Sequence, residues 1–344
     1  MDLMTRLNAF SQLGEWLRSP EAHDQRTQWA SAARHENNWF TPQNVSLALD
    51  TIAQQYLVRT NLEAWIASYS FAADAKLTEP KQVGVIMAGN IPAVGFHDAL
   101  CVLIAGHRLL AKLSSQDSAL MRALLQKLVE IETGFADDVV FAERLNDADA
   151  TIATGNDNSA RYFEYYFGKK PHIIRKNRTA VGVLTGLEPT EELSALGGDI
   201  LTYFGLGCRN VSKLYVPEEY DFQDFYESIE PSGDVILHHK YHNNYDYNKA
   251  VLLINQTPFL DNGFLLLTPN NATVSPLSVV HFERYASTDQ LKEDLTENAE
   301  KIQCVVSAGG WLPGSLPFGT AQTPRLKDYA DGVDTMAFLQ SMSE

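Results

Sequence analysis

The sequence predicts an α/β protein built from two doubly wound domains, and three observations predict it. Apolar runs of strand length recur along the chain, short and unbroken as in the buried strands of a parallel sheet. Turn residues and then stretches of helical periodicity separate them, the strand–helix alternation of doubly wound folds. The chain has 344 residues, enough for two α/β domains or one large domain with an appendage.

The first 75 residues read as helical: Leu3, Leu7, Phe10 and Leu13 recur at helical spacing, as do Val45, Leu47, Ile52, Tyr56 and Leu57. The character changes near Pro80. Residues 83–88 form a buried-strand run, Gly89-Asn90-Ile91-Pro92 a turn, and 93–105 a helix that Gly106 is placed to end. A strand over 109–113 closes a βαβ unit, and a helix over 118–130 and a strand over 138–142 follow. Thr151-Ile152-Ala153-Thr154 is the next buried strand, with a turn from Gly155 to Ser159 and a helix behind it. The alternation resumes with a strand over 180–185, a helix over 191–204, a turn over 205–208 and a strand over 211–216. Further strands are read at 276–283 and 302–307, and the tail, 318–344, holds turns and a final helix suited to docking on a neighbouring subunit. With no repeat and no low-complexity linker, the domains are expected to interleave.

A formal net charge of −16 argues against nucleic-acid or anionic-membrane partners, which need a positive surface. No apolar run reaches the roughly 18 residues of a membrane span, and residues 1–6 lack the basic start of a signal peptide. Cys101, Cys208 and Cys304 are too few and too scattered for a disulfide framework, and no pair has metal-ligand spacing. The expected setting is a reducing cytoplasm.

Cys208 lies in Tyr203-Phe204-Gly205-Leu206-Gly207-Cys208-Arg209-Asn210, between a helix and a strand. The two glycines permit unusual dihedrals and close approach of a ligand, the Cys208 N–H can serve an oxyanion hole, and Arg209 favours a thiolate. The alternative is a small core residue, the role read for Cys101 and Cys304. Asn90 follows a strand at the end where α/β sheets place ligands; its amide suits an oxyanion or, equally, a helix cap. Gly155 stands at a strand-to-helix junction of the kind that binds phosphate, without the GxGxxG motif. Lys169, Lys170, Arg175, Lys176 and Arg178 suit the phosphates of a cofactor or coenzyme A, or else guard a strand edge. His238, His239 and His242 near Asp246 lack a clear third metal ligand and read better as a polar helix start or a substrate-facing segment.

In order, these segments resemble the aldehyde dehydrogenase superfamily, and more closely its LuxC-type branch, the fatty acyl-CoA reductases of bacterial luminescence systems. The likeness runs from about residue 80 to the end. It rests on Gly89-Asn90-Ile91-Pro92 with Gly95-Phe96-His97-Asp98, on Ala111-Lys112-Leu113-Ser114-Ser115, on Phe204 through Tyr215, and on Pro317-Phe318-Gly319 with Asp328-Tyr329-Ala330-Asp331-Gly332. The resemblance implies a dinucleotide-binding part with the N-terminal helices (1–179), a catalytic thiol domain (180–316), an active-site cleft between them and an oligomerisation arm (317–344). It also implies Cys208 as nucleophile, Asn90 as oxyanion donor, Lys112 at the adenosine ribose, and Gly155 with Asn156 near the pyrophosphate.

Two departures refine what it implies. Hydrolytic relatives carry a Glu-Leu-Gly-Gly segment whose Glu activates water; here residues 173–178 (IIRKNR) match it without an acid, which suits a reductase and leaves Glu188, Glu191 and Glu192 as substitutes. At Ser115, NAD-preferring relatives often have a Glu that would repel a 2′-phosphate, so the expected cofactor is NADPH. The acid that relatives place before a Phe-Gly-Pro segment is likewise missing near Ser275-Pro276. The expected activity is NADPH-dependent reduction of a long-chain acyl-CoA to aldehyde through a Cys208 thioester, in a homo-oligomer, with an acyl-protein synthetase as partner. The alternatives are an acylating semialdehyde dehydrogenase, a cysteine hydrolase pairing Cys208 with His238 or His239, and a non-catalytic acyl-binding protein.

Overall fold

Asp2 starts the first helix: its carboxylate accepts the Thr5 N–H at 2.7 Å, one of the amides a helix N-terminus leaves without an internal partner. This helix, α1 (Leu3–Arg18), buries Leu3, Leu7, Phe10, Leu13 and Leu17 along one stripe. α2 (His23–Glu36), α3 (Pro42–Thr51) and α4 (Arg59–Ile66) complete the N-terminal helices. The structure, a computed structural model, describes residues 1–69, 79–155 and 157–342. The helical reading of 70–75 and the candidate Asn156 therefore lie outside the described residues.

β1 (Gln82–Ile86), α5 (Phe96–Ala105), β2 (Arg108–Lys112), α6 (Ser118–Ile131), β3 (Val139–Phe141), β4 (Ala150–Thr154), α7 (Asp157–Phe167) and β5 (His172–Arg175) follow in alternation. Their strands form one parallel sheet in the order β3-β2-β1-β4-β5. The strand order reverses at β1, and in such sheets ligands bind beyond the carboxyl ends of the strands at the reversal. Gly106, at φ +91°, ends α5 in the left-handed conformation that glycine tolerates.

The expected helix start at residue 93 is corrected to Phe96. Ala93 has φ +55°, and its N–H is taken by the Asp117 carboxylate instead of starting a helical turn. Val83, Val85, Leu109 and Ile152 from the strands pack with Phe96, Leu100 and Leu124 and with Phe10 and Leu13 of α1, so the N-terminal helices share this sheet's core.

β6 (Thr179–Val183), α8 (Thr190–Leu201), β7 (Val211–Pro217), α9 (Gln223–Ile229), α10 (His239–Ile254), β8 (Leu260–Asp261), β9 (Leu266–Pro269), β10 (Val279–Tyr285), α11 (Thr288–Glu297), β11 (Ile302–Ser307) and β12 (Leu316–Pro317) build a second sheet. Its order is β12-β11-β6-β7-β10-β9-β8, parallel except where β8 meets β9. Val181, Val183, Tyr215, Leu291 and Ile302 form a core cluster on it. The helix expected over 191–204 ends at Leu201, because Tyr203 and Phe204 take left-handed φ values of +53° and +60°. The strand expected from 276 begins at Val279, after Ser278 at φ +63°. Cys304, expected in the core, is only half-buried on β11.

The chain divides into two units, residues 1–176 with 324–344, and residues 177–323. In the first, the final helix α12 (Thr335–Ser341) packs on α5. His107 and the Leu339 carbonyl lie 3.0 Å apart, and the Trp65 indole N–H donates to the Tyr329 hydroxyl at 2.8 Å. The buried Arg175 guanidinium meets Asp98 at 2.5 Å and donates to the Thr335 hydroxyl at 2.8 Å.

Candidate active site

In the first unit, the turn after β1 presents Asn90 at the surface. The neighbouring strand β2 ends in Lys112, whose ammonium donates to the Glu143 carbonyl at 2.7 Å. Lys112, Ser115, Ser118, Arg122, Phe141 and Glu143 line an open cavity of about 480 Å³. Lys112 and Ser115, singled out in the sequence, thus share one cavity. Arg122 was not singled out; its guanidinium lies over the Phe141 ring, 4.2 Å from the centroid. Two cations, the hydroxyls of Ser114, Ser115 and Ser118 and an aromatic face suit a phosphorylated nucleoside.

Gly155 is not among the residues that line this cavity. Its N–H donates to the Arg175 carbonyl at 3.3 Å, and a Cβ there would come within 2.8 Å of the Phe163 ring and 2.9 Å of the Ser159 Cβ. Close approach of α7 is what glycine permits here. In the basic cluster, the Lys170 ammonium donates to the Ala148 carbonyl at 2.5 Å, and Arg175 is the buried partner of Asp98. β5 is an edge strand, as the charge-guarded alternative requires. Residues 173–178, which the resemblance sets against the water-activating segment, therefore hold a buried arginine ion pair.

In the second unit, Cys208 is a half-buried thiol just past the turn 202–205. The buried Asn210 side chain holds that turn. Its amide donates to the carbonyls of Asp199 (3.0 Å), Ile200 (3.2 Å) and Thr202 (2.8 Å), and its oxygen accepts the Gly207 N–H (2.8 Å). Carbonyls at a helix C-terminus have no internal partner, so Asn210 caps α8 while fixing the residue before Cys208. The sequence signal is an amide two residues beyond the thiol, but its partners lie at the end of a helix that the sequence predicts to run three residues further.

Beside this turn lies a cavity of about 240 Å³ lined by Phe204, Leu206, Tyr241, Leu265, Leu277 and Val279 among others. The His238 ring sits 4.4 Å from that of Phe204, and α10 starts at His239, as the polar-helix reading expects. Among the described residues no His/Cys/Asp/Glu group has the arrangement to hold a metal ion. Glu188 closes its own turn, accepting the N–H groups of Thr185 (2.5 Å) and Gly186 (3.0 Å) and the Thr185 hydroxyl (2.8 Å). Glu191 and Glu192 stand in the first turn of α8.

Asp199, buried on α8, accepts the N–H groups of Gly319 (2.7 Å) and Ala321 (3.0 Å) and so ties the Pro317-Phe318-Gly319 segment to this helix. Burial outweighs those two donors and lifts its carboxyl from 3.8 to about 6. The folded chain then binds this proton more tightly than the unfolded chain, so the contribution to stability is fullest below about pH 4 and is lost as pH rises through 6. The loss amounts to roughly 3 kcal/mol. Denaturant titrations between pH 4 and 7 should show this slope in the native chain and not in Asp199→Asn; parallel profiles would refute the assignment.

No family model and no curated protein matches the chain, whereas solved structures do. It is similar to aldehyde dehydrogenase 21 of Physcomitrella patens, solved with the reaction product succinate, at 13% identity and TM-score 0.63 over 89% of this chain and 73% of that one. An NADP-dependent enzyme of E. coli is similar at 13% and 0.64 over 89% and 73%, and the NAD+ complex of a Bacillus cereus aldehyde dehydrogenase at 13% and 0.61 over 89% and 72%. At these identities the likeness shows the fold: an α/β chain of aldehyde dehydrogenase type. Among the described residues no helix is long and apolar enough to cross a membrane.

Proposed function

We propose that this chain reduces acyl-coenzyme A, long-chain fatty acyl thioesters foremost, to aldehydes with NADPH, through a thioester on Cys208. The observation that carries the reading is the Cys208 turn: a half-buried thiol just past a braced left-handed stretch of backbone, with a cavity beside that stretch. In this reading the Cys208 thiolate attacks the acyl carbon, the bond to the coenzyme A sulfur breaks, and coenzyme A leaves as the thiol after taking a proton. The Asn90 amide and the Cys208 N–H donate to the oxygen while it carries negative charge.

The acyl group then rests on Cys208, and the reading requires that no acid activate water against it. It is supported by residues 173–178, which the resemblance sets against a water-activating acid and which hold Arg175 paired with Asp98, and by Glu188, which is engaged in its own turn. The residues around the 480 Å³ cavity fit a dinucleotide: Lys112 for the ribose, Ser115 and the Arg122 guanidinium for a 2′-phosphate. When bound, the nicotinamide cofactor supplies the hydride. An acyl-protein synthetase as acyl donor and a homo-oligomeric state belong to the same reading.

The test is anaerobic incubation with NADPH and an acyl-CoA series of increasing chain length, with aldehydes identified by mass spectrometry. Expected are one aldehyde per NADPH oxidised and a rate that rises with chain length. Arg122→Ala should weaken NADPH by ~10-fold or more while leaving NADH binding unchanged. Turnover confined to short acyl-CoA or acyl phosphate would replace this reading with a semialdehyde dehydrogenase. Free acid formed without cofactor would favour a hydrolase, to which the ring contact of His238 with Phe204 lends its one structural argument. No turnover of any thioester would sink both.

A further inference from the structure

Asp117 occupies the N-cap position of α6 and does not cap it. An aspartate there ordinarily accepts the second or third amide of its own helix. Instead, its Oδ2 accepts the Ala93 N–H at 2.7 Å, 24 residues back in the chain. The cap comes from α2: Glu36 accepts the N–H groups of Ser118 (3.0 Å) and Ala119 (2.9 Å) and the Ser118 hydroxyl (2.7 Å).

What Asp117 holds is costly to hold. Ala93, at φ +55°, carries a left-handed backbone that is strained for a non-glycine residue and lasts only where the surroundings impose it. Asp117 is itself buried, and its Oδ1 has no hydrogen-bond partner among the described residues. Burial, with the Glu36 charge nearby, pushes its carboxyl well above the usual range. A carboxylate serving only as a helix cap would sit at less cost in the place Glu36 fills.

The bond to Ala93 closes one end of the turn that carries Asn90. The other end is held by packing: a Cβ on Gly89 would lie 2.8 Å from the Ser114 Cβ and 2.9 Å from the Gln116 Cβ. Asn37, next to Glu36 in the chain, donates to the Gly89 carbonyl at 3.4 Å. The turn is therefore gripped at 89 and at 93, with Asn90 between the two holds.

We propose that Asp117 is a positioning residue that sets the Asn90 amide, and that Glu36 releases it for this role by capping α6 in its stead. The proposal rests on the reading of Asn90 as oxyanion donor. It gives the N-terminal helices, the part of the chain least like the family, a share in placing that donor. Fixing such a donor to within an ångström is worth up to about 100-fold in rate.

The experiment is a kinetic cycle on the full chain with acyl-CoA and NADPH, using Asp117→Ala, Asp117→Asn, Asn90→Ala and the double variant Asp117→Ala/Asn90→Ala. Expected for Asp117→Ala is a kcat lower by ~10–100-fold with KM for acyl-CoA and affinity for NADPH unchanged. Asp117→Asn, which keeps an acceptor for the Ala93 N–H, should recover most of it. The double variant should fall no further than Asn90→Ala alone. Loss in Asn90→Ala with full kcat in Asp117→Ala, or additive losses, overturns the positioning role and leaves the oxyanion reading standing. Full kcat in Asn90→Ala overturns both. Should Asp117→Ala fail to fold, Glu36→Ala carries the test: the uncapped amides of α6 draw the Asp117 carboxylate away from Ala93, and kcat should fall; an unchanged kcat overturns the proposal.

Discussion

Cys208→Ala should lose aldehyde formation by about 10⁴-fold or more, the scale on which removing a nucleophile acts, while still binding NADPH. The size of the effect follows from the loss of the attacking sulfur. Cys101 is fully buried in α5, where burial pushes its thiol well above the ordinary range and keeps it protonated. Cys304 is half-buried on β11. Cys208→Ser keeps an oxygen in place, but an alcohol is far less acidic than a thiol and should recover little. The measurement is acylation by radiolabelled acyl-CoA without cofactor. The native chain should take up about one label per chain and Cys208→Ala none. Label on Cys208→Ala would reassign the nucleophile, whatever the aldehyde assay shows.

The sheets were legible because their strands are buried on both faces and so appear as unbroken apolar runs: β1, β2, β4 and β6 lie within a residue or two of where the sequence places them. The turns between strand and helix were less so, for a physical reason. Ala93 carries nothing in its own neighbourhood that announces φ +55°; the cause is a carboxylate at position 117. Arg122 likewise reads as one more exposed position on an amphipathic helix until α6 brings it over Phe141. Cys208 was visible as a candidate through its two glycines and Asn90 through its place after a strand, whereas the residues that hold them, Asn210 and Asp117, became visible only with the fold.

Asn210 is where that holding can be tested hardest. Its amide group faces three carbonyls and its oxygen faces one N–H, so the orientation of the side chain is set by its partners. Asn210→Ala leaves buried groups of α8 and of Gly207 without partners, at a cost of about 2–3 kcal/mol. Asn210→Asp is close in shape and should be worse, by at least about 1 kcal/mol. It removes both donors and points a carboxylate at three carbonyl oxygens; protonation to relieve this restores only one donor. The common expectation that Asp replaces Asn conservatively is therefore inverted at this site. The same change should slow acyl labelling of Cys208 by ~100-fold or more at temperatures where the chain stays folded, because the left-handed pair Tyr203 and Phe204 loses the clasp that keeps the next turn in place. Urea titration and labelling rates on the native chain, Asn210→Ala and Asn210→Asp decide it. If Asp is tolerated better than Ala, the amide is not acting as a donor to those carbonyls. If both variants acylate at the native rate, the thiol does not depend on this turn for its placement.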